Sequence, residues 1–477
     1  MAAIDRRHFL KTSAALAAAA TCVSSFSQTK PVWAQAPSDR LRMACVGVGN
    51  RGGWNAYEFN GLCDIVALCD LDLEFSIPNT LSRKIGVKGK DGQVKKPDIY
   101  TDYRKVLERD DIDVVSIGTP DHWHVKIAVE AMQAGKHVFC EKPVTLTIEE
   151  NKIIRKAVEK YGKIFQAGTM QHSMRGLFPL ATLIVRGGYI GDVKKVVCDV
   201  GGDRTSGDTD IPKMDPPKGF DWNTYLGQAP YTDFLGDGDF LQNWREKGKF
   251  SDTFFNWRFG RSRCHNEFRW WHETAGGKFT DWGAHHIDCA LWALGLDKKG
   301  VGPVSVDGTN AEHPVPFKDG YPTVHNRYNT SHKFDIGFQL SNGAEMRVVS
   351  SSPDGNGILF EGTKGRFFVS RSRIAGKIIE QGVANEFKEE DYVALYNGKL
   401  WEGHKQNFIR CVREGGMPVS DIWSHVQAMH ACHLCSISAR LSRTIEWDPV
   451  KETIVGDEQA ASFMARKQRE GFEIPAV

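Results

Sequence analysis

Short apolar runs alternate with amphipathic stretches along the first third of the chain. The first run, at 42–46, leads into a glycine-rich turn, and a second run at 64–69 follows a helical stretch over 54–60. Apolar strands separated by helices are typical of units in which parallel strands are joined by crossover helices. The rhythm continues with strands predicted at 112–117, 137–140 and 163–167 and helices at 124–134 and 147–161. It predicts a parallel sheet covered by helices, in a domain that we place at 39–168.

The remainder of the chain, 169–477, follows a different pattern. Alternation of apolar and polar residues, as in antiparallel strands with one buried face, occurs at 333–340, 345–350 and 366–369. The stretch 407–441 has helical spacing, whereas 201–269 is rich in glycine, proline, aspartate and aromatic residues without periodicity. A loop region of that length is usually functional or an oligomer contact. The pattern predicts a second domain that contains both sheet and helices.

The N-terminus has the character of a targeting segment. Residues 5–11 closely match the twin-arginine export signal, with the arginine pair at positions 6 and 7. The apolar run at 14–20 is too short to span a bilayer, and the small residues around Ala34 favour cleavage there. We therefore assign 1–36 to a signal peptide and expect export to the periplasm or beyond. A basic N-terminal tail is the alternative.

Composition narrows the classes of partner. The chain has 477 residues and a formal net charge of +2, which gives no reason to expect nucleic acid or anionic lipid as a partner. Nothing in the composition indicates a membrane-spanning protein. Cys45, Cys69 and Cys140 fall in or beside predicted buried strands. We expect most of the cysteines that remain after cleavage to be reduced core residues, not disulfide partners.

The glycine-rich turn after the first strand predicts a dinucleotide site. Gly47, Gly49 and Gly52 form a G-x-G-x-x-G pattern between a strand and a helix. There the first glycine permits the tight turn, the second lets the backbone approach a pyrophosphate, and the third lets the helix pack closely on the sheet. Asp70 ends the second strand, where a carboxylate binds ribose hydroxyls and repels a 2′-phosphate. The pattern favours NAD over NADP, with an unliganded glycine turn as the alternative.

Two further loops follow strand ends, at 118–124 and 141–143, where open α/β sheets bind their ligands. The first contains Thr-Pro-x-x-x-His, the second is Glu-Lys-Pro, and a longer motif runs over 276–288. With these motifs the chain resembles the Gfo/Idh/MocA family of sugar and cyclitol oxidoreductases. The resemblance implies an α/β architecture in which an N-terminal Rossmann domain precedes an α+β domain with a large open, mainly antiparallel sheet. A second subunit often covers such a sheet, which suggests a homo-oligomer.

The resemblance also implies roles for particular residues. It places Lys142 beside the nicotinamide and the substrate, with Glu141 and Pro143 shaping its loop. His124 is expected near the cofactor, and His122 is its competitor. The expected cofactor-binding residues are Gly47, Gly49, Asn50, Arg51, Gly52, Asp70, Thr119, Pro120, His124, Glu141 and Lys142.

Asp281 and His285 are four residues apart and share a helix face if this stretch is helical. A histidine near its usual pKa of about 6.5 suits the removal of a hydroxyl proton while hydride leaves the same carbon. The resemblance places both residues in the sugar site, so Lys142, His285 and Asp281 are the predicted catalytic residues. His286 points elsewhere on a helix, and we interpret it as structural.

The expected substrate-binding residues are Gln171, His172, Arg269, Trp270, Asp281 and His285. Aromatic faces stack on the C–H faces of sugars and arginine bonds to hydroxyls, although the tryptophan could equally belong to the core. Two histidine-rich clusters, at 281–288 and 430–435, raise the possibility of a metal site. Helical spacing splits each cluster between different faces, so we expect no metal.

These features predict an NAD-dependent oxidoreductase acting on a hydroxyl of a sugar, sugar derivative or cyclitol. Export complicates that interpretation, because no pool of free NAD exists outside the cytoplasm. A tightly bound NAD that is recycled within each cycle resolves the problem. Coupled oxidation and reduction of two sugars, epimerisation, and glycoside cleavage through a 3-keto intermediate all fit, and the sequence does not choose among them. A sugar-binding protein without catalytic activity is the alternative from a different class.

Overall fold

The computed structural model describes residues 40–88, 93–238, 260–396, 398 and 401–477. The predicted signal peptide at 1–36, with its cleavage point, lies outside these residues. So does part of the loop region predicted at 201–269.

The N-terminal domain is built on a six-stranded parallel sheet with the strand order β5-β2-β1-β6-β7-β8. These strands and a small separate hairpin are β1 Arg42–Val46, β2 Asp64–Cys69, β3 Val87–Lys88, β4 Val94–Lys95, β5 Asp98–Tyr100, β6 Val114–Ile117, β7 His137–Cys140 and β8 Phe165–Ala167. The helices are α1 Arg51–Phe59, α2 Ser76–Leu81, α3 Tyr103–Leu107, α4 His124–Gln133 and α5 Ile148–Tyr161. A 3₁₀ turn at Asp121–Trp123 leads into α4.

The apolar runs form this sheet because both of its faces are covered. Every residue of β2 and β6 is buried, as expected for central strands with helices on either side. Helix α1 begins at Arg51, three residues earlier than predicted, because it starts directly from the glycine turn. Helix α5 begins after Thr147, whose side chain accepts a hydrogen bond from the backbone of Glu150. The predicted parallel sheet covered by helices is confirmed.

The second domain contains a ten-stranded mixed sheet, ordered β18-β17-β16-β9-β15-β14-β10-β19-β20 with β11 paired to β14. Its strands, with the hairpin β12–β13, are β9 Val193–Asp199, β10 Pro303–Asp307, β11 Ala311–Glu312, β12 Phe317–Lys318, β13 Tyr321–Pro322, β14 Lys333–Leu340, β15 Glu345–Val349, β16 Gly357–Gly362, β17 Gly365–Val369, β18 Ile374–Ala375, β19 Thr444–Asp448 and β20 Thr453–Val455. Only β9 and β15 pair in parallel in this sheet, as far as the structure describes it. The mainly antiparallel sheet is confirmed.

Helices cover one face of this second sheet. They and the remaining helices are α6 Phe178–Arg186, α7 Trp222–Leu226, α8 Lys278–Asp281, α9 Gly283–Leu294, α10 Lys377–Glu380, α11 Glu389–Leu395, α12 His404–Glu414, α13 Ile422–Leu441 and α14 Glu458–Ser462. The 3₁₀ turns are Met170–Ser173, His265–Trp270 and Val383–Glu386. Helix α12 returns to the first domain, where Phe408 packs against Phe59 and Phe139 with ring centroids 6.0 and 5.7 Å apart. The two domains therefore share apolar contacts.

The cysteine and histidine clusters behave as core residues. All ten cysteines in the described chain are buried, and none of them forms a disulfide there. His430, Cys432, His433 and Cys435 are buried in α13, so the helical interpretation of that cluster is confirmed. Among the residues that the structure describes, no group of histidine, cysteine and acidic side chains is arranged to hold a metal ion. The described helices also include none with the length and apolar character needed to cross a bilayer.

Candidate functional site

A single continuous cleft of about 440 Å³ runs from the glycine turn to the junction of α8 and α9. That volume lies in the usual range for small-molecule sites. The carboxyl ends of the parallel strands form one wall, and the second domain forms the other. The predicted residues that line the cleft are Gly47, Gly49, Asn50, Arg51, Asp70, Thr119, Pro120, His124, Glu141, Lys142, Arg269, Trp270, Asp281 and His285.

The glycine turn leaves no room for side chains. Gly47 has φ +75°, and a Cβ there would lie 2.4 Å from the backbone nitrogen of Thr119. A Cβ on Gly52 would lie 1.7 Å from the carbonyl oxygen of Gly47. The turn is therefore closed against the neighbouring loop, and the N-terminal N–H groups of α1 are directed to the place where phosphates bind in such units. Gly52 lies behind the cleft wall, where the lack of a side chain permits this close packing.

Asp70 is held in place by the backbone around it. Its carboxylate accepts hydrogen bonds from the N–H groups of Val48, at 2.7 Å, and Asp72, at 2.9 Å. Burial, followed by the nearby charge of Asp72, raises the pKa of Asp70 to about 6. The carboxylate lines the cleft at the end of β2, which is the position that binds ribose hydroxyls in dinucleotide domains. Together with the closed glycine turn, this arrangement fits NAD.

Glu141 anchors the loop that carries Lys142. One oxygen of its carboxylate accepts a hydrogen bond from Asn55 Nδ2 at 2.8 Å and lies 3.2 Å from Arg51 Nε. A Cβ on Gly168 would lie 2.8 Å from the same carboxylate, so the group is enclosed from behind. These contacts tie the end of β7 to helix α1.

His124 joins two loops of the cleft. Its Nδ1 lies 2.7 Å from the carbonyl oxygen of Pro143, and its Nε2 lies 2.8 Å from that of Thr119. His122 instead lies behind the cleft wall, with Nε2 3.0 Å from the carbonyl oxygen of Tyr225. Of the two competing histidines, the structure therefore places His124 in the cleft.

Lys142 and Asp281 lie together at the end of the cleft that is opposite the glycine turn. Lys142 Nζ donates to Asp281 Oδ1 at 2.6 Å and to the backbone oxygen of the same residue at 2.8 Å. Lys278 Nζ lies 3.0 Å from the other carboxylate oxygen, Oδ2, and Arg269 Nε lies 3.8 Å from Oδ1. Burial lowers the pKa of Lys142, although Asp281 opposes the shift. Burial alone would raise the pKa of Asp281, but the three cations together hold it well below its usual range.

His285 is buried beside this pair. Burial, with the charges of Lys142 and Arg371, lowers its pKa well below the ordinary value, and its Nδ1 has no hydrogen-bond partner. The expectation that this histidine titrates near its usual pKa is therefore wrong. The ring is neutral at physiological pH, so it can hydrogen-bond to a hydroxyl but gains a proton only with difficulty.

Two models of known protein families match this chain, one in each domain. Residues 41–169 match the model of an oxidoreductase family with an NAD-binding Rossmann fold, and residues 255–474 match the model of its C-terminal alpha/beta domain. The chain belongs to the Gfo/Idh/MocA oxidoreductase family. Residues 3–21 match the twin-arginine translocation signal, so the predicted export signal is confirmed.

Two curated relatives resemble this Gfo/Idh/MocA protein over part of its length. The glycosyl hydrolase family 109 protein of Shewanella pealeana is 37% identical over 169 residues, which cover 31% of this chain and 35% of the relative. The alpha-N-acetylgalactosaminidase of Shewanella oneidensis is 34% identical over 170 residues, with 31% and 35% covered. The match thus spans about a third of the length of these relatives.

Solved structures resemble the described fold over most of the chain. The WlbA dehydrogenase from Bordetella pertussis has a TM-score of 0.54 at 18% identity, covering 85% of this chain and 98% of that one. The aldose-aldose oxidoreductase from Caulobacter crescentus has a TM-score of 0.51 at 18% identity, with 85% and 99% covered. At this identity the likeness establishes the fold of the Gfo/Idh/MocA protein and nothing finer.

Two of the expected substrate residues lie away from the cleft. His172 is buried with its Nε2 2.7 Å from Asp288 Oδ2, and its ring stacks on Trp292 at a centroid distance of 4.4 Å. Gln171 is also buried, with its side-chain oxygen 3.8 Å from Cys289 Sγ. Both face the interior of the second domain, because the 3₁₀ turn after β8 packs on α9. His286, 2.9 Å from the carbonyl oxygen of Asp199, has the structural role expected of it.

Three charged residues of the cleft were not predicted. Asp121 and Lys278 stand within the quoted motifs, but only the fold shows that their side chains line the cleft. Burial raises the pKa of Asp121 to about 8. Arg371 reaches the cleft from the turn between β17 and β18, with its guanidinium carbon 4.5 Å from the ring centroid of Trp282. No sequence pattern marks that arginine, because its turn lies far along the chain from every motif.

Proposed function

We propose that this protein is an NAD-dependent oxidoreductase acting on a hydroxyl-bearing carbon of a sugar, sugar derivative or cyclitol. The observation that carries the proposal is the arrangement of Lys142, Asp281 and His285 at one end of a cleft whose other end is a dinucleotide cradle. Removal of a hydroxyl proton needs a positioned base, and here a carboxylate holds the base while a neutral imidazole is available to hydrogen-bond to the hydroxyl.

NAD would be held by the closed glycine turn, by Asp70 and by the loops around Thr119 and His124. When bound, it supplies the hydride acceptor for the carbon that carries the hydroxyl. The residues of the chain supply the remaining functions, which are to orient the substrate and to move its proton. The carboxylate of Asp70 favours NAD over NADP, because a 2′-phosphate would meet a negative charge.

Lys142 is the group best placed to receive the hydroxyl proton. Its lowered pKa increases the fraction of neutral amine, which is the form that accepts a proton. Asp281 holds the amine through two hydrogen bonds and stabilises the ammonium after transfer. His285 remains neutral and hydrogen-bonds to the same hydroxyl, fixing its direction. In the reverse half-reaction Lys142 returns the proton to the oxygen.

Because the protein is exported, we infer that NAD stays bound between turnovers. The twin-arginine pathway carries folded proteins, and outside the cytoplasm there is no pool of NAD from which a released cofactor could be replaced. We infer that each catalytic cycle returns the cofactor to its starting redox state. Coupled oxidation and reduction of two sugars, and epimerisation, both satisfy this condition.

Glycoside cleavage is a second candidate, favoured by the similarity to relatives named as family 109 glycosyl hydrolases. In that reaction oxidation at C3 of the sugar makes the hydrogen on C2 acidic. A base removes this hydrogen, and the glycosidic substituent leaves C1. Water then adds to the resulting double bond, and reduction of the ketone completes a cycle with no net oxidation.

We also propose that the protein forms a homo-oligomer through the outer face of the second sheet. Val197, Leu359 and Phe368 are neighbours across three adjacent strands and point away from the helices. Leu359 and Val197 are only half-buried in the single chain. An apolar patch on a sheet face without helices is the kind of surface that a second copy covers.

Substitution of Lys142 tests the proposed chemistry. We expect Lys142→Ala to lower turnover of sugars or aryl glycosides by roughly a thousandfold, because the proton acceptor is lost. NAD content should be unchanged, as measured by nucleotide released on denaturation. Lys299→Ala, at an exposed position outside the cleft, is the control. Activity that survives Lys142→Ala would refute the assignment, and a protein that binds sugars without turning any of them over would instead support the non-catalytic alternative.

A further inference from the structure

Positive charge is in excess at the end of the cleft that contains Lys142, Asp281 and His285, which is the proposed substrate end. The cationic side chains there are Lys142, Arg269, Lys278 and Arg371, and the carboxylates are Asp121 and Asp281. Four basic side chains thus face two acids, and Arg269, Lys278 and Arg371 keep the charge positive when Lys142 is in its neutral, proton-accepting form. The other charged groups do not change this balance, since Arg51 pairs with Glu141 and Asp70 belongs to the opposite end, beside the glycine turn.

One carboxylate serves three of these cations. Asp281 contacts Lys142 at 2.6 Å and Lys278 at 3.0 Å, with Arg269 at 3.8 Å. Asp121 lines the same end, and burial favours its neutral form. The excess of positive charge is therefore not cancelled within the cleft.

Arg371 is the cation without a partner. No carboxylate in the described part of the chain lies within ion-pair distance of it, and its Nε is buried without a hydrogen-bond acceptor. Its guanidinium is instead held against the face of Trp282, 4.5 Å from the ring centroid. A partly buried guanidinium without an anion is costly, whereas a carboxylate or phosphate satisfies two of its N–H groups at once. Because Arg371 lies on the cleft wall, its guanidinium is available to an anionic ligand.

We propose that the substrate carries an anionic group, as a sugar acid or a sugar phosphate does, and that Arg371 and Arg269 bind this group while Lys142 faces the reacting hydroxyl. The inference rests on the proposed function for its assumption that the substrate is a sugar. It adds that neutral sugars are the poorer ligands of this cleft. Oxidised nicotinamide is itself positively charged and would add to the excess, not relieve it.

The test compares matched acidic and neutral ligands on the NAD-loaded protein. Binding of glucuronate and glucose, galacturonate and galactose, and a hexose phosphate is measured by calorimetry, and turnover is measured in parallel. We expect at least one acidic ligand to bind about tenfold or more tightly than its neutral partner. A preference for the uronate or for the hexose phosphate identifies which anionic group the site takes. Equal or tighter binding of every neutral partner would overturn the proposal.

Variants then assign the preference to Arg371. Arg371→Gln should remove the tenfold preference, and Arg371→Lys should keep part of it, because a charge remains without the planar pair of donors. Arg104→Gln is the matched control, since that exposed arginine of α3 lies outside the cleft and away from the outer face of the second sheet. Equal weakening of acidic and neutral ligands by Arg371→Gln, or loss of NAD, would refute the assigned role.

The two proposals fail in different ways. Turnover of neutral sugars, with no preference for acids in binding or rate, would leave the oxidoreductase function intact and refute the anionic substrate. Conversely, if no sugar is turned over, the proposed function fails. The calorimetric comparison of acidic and neutral ligands, with and without Arg371→Gln, still decides whether the cleft selects an anion.

Discussion

At the residue scale, the proposed mechanism makes the Lys142–Asp281 pair the group that sets the pH dependence of turnover. The neutral amine is the active form, so turnover should rise with pH and level off below the ordinary lysine value of 10.5, because burial lowers the pKa of Lys142. Asp281 opposes that shift through its charge. The carboxylate thus influences both the position of the Lys142 amine, which it contacts at 2.6 Å, and the pKa of that amine, which is the proposed base.

Asp281→Asn separates these two effects. Loss of the negative charge lowers the pKa of Lys142 further, so the rising limb of kcat against pH should move to lower pH. Looser placement of the amine should reduce the plateau by about ten- to a hundredfold. The measurement is a pH profile of kcat for the wild type and the variant. A limb that moves to higher pH, or stays in place, would contradict the assignment of Lys142 as the base.

At the scale of elements, the contact between the 3₁₀ turn at Met170–Ser173 and helix α9 rests on a buried ion pair. His172 and Asp288 are each about 2% exposed, and their charged atoms lie 2.7 Å apart. Burial alone would lower the pKa of His172, but Asp288 reverses the shift and raises it. These two residues therefore stabilise the packing of the turn on α9, and neither of them lines the cleft.

Asp288→Ala should lower the free energy of unfolding by about 3 kcal/mol or more, because it leaves a buried histidine without its partner. Since the pKa of His172 is higher in the folded protein, the stabilisation is complete below the unfolded value of about 6.5 and is lost as pH rises through the folded value. Urea unfolding of wild type and variant should thus differ most under acidic conditions and less at alkaline pH. A difference that grows with pH would show that the pair is not ionised as described.

Much of the element structure was accessible from sequence, because the signals are local. Alternation over 333–340 reproduces β14 residue for residue, and the glycine spacing located the turn before α1. Side-chain partners were less accessible, since they depend on packing between segments distant in the chain. His172 was expected in the substrate site but pairs with Asp288 of α9 in the core. Arg371 enters the cleft from a turn that no motif marks. The pKa of His285 likewise depends on neighbours that only the fold assembles.

At the scale of the whole molecule, the outer patch of Val197, Leu359 and Phe368 should set the oligomeric state. We expect light scattering after size exclusion to give a mass that is a multiple of the single chain. Leu359→Asp should shift that mass to the monomer while far-ultraviolet circular dichroism stays unchanged, because the charge lies on the face opposite the helices. Ser341→Asp, on a turn at the end of β14, provides a charge control. A monomeric wild-type protein would refute the proposed oligomer.

At the centre of the proposed function is an NAD molecule that the cradle around Gly47 and Asp70 retains and that is recycled in each turnover. The most direct measurement is the number of turnovers per chain that the purified exported protein completes with no NAD added, on a panel of sugars and aryl glycosides. We expect many turnovers per chain, with NAD recovered from the denatured protein afterwards. Strict dependence on added NAD, or a single turnover that then stops, would contradict it.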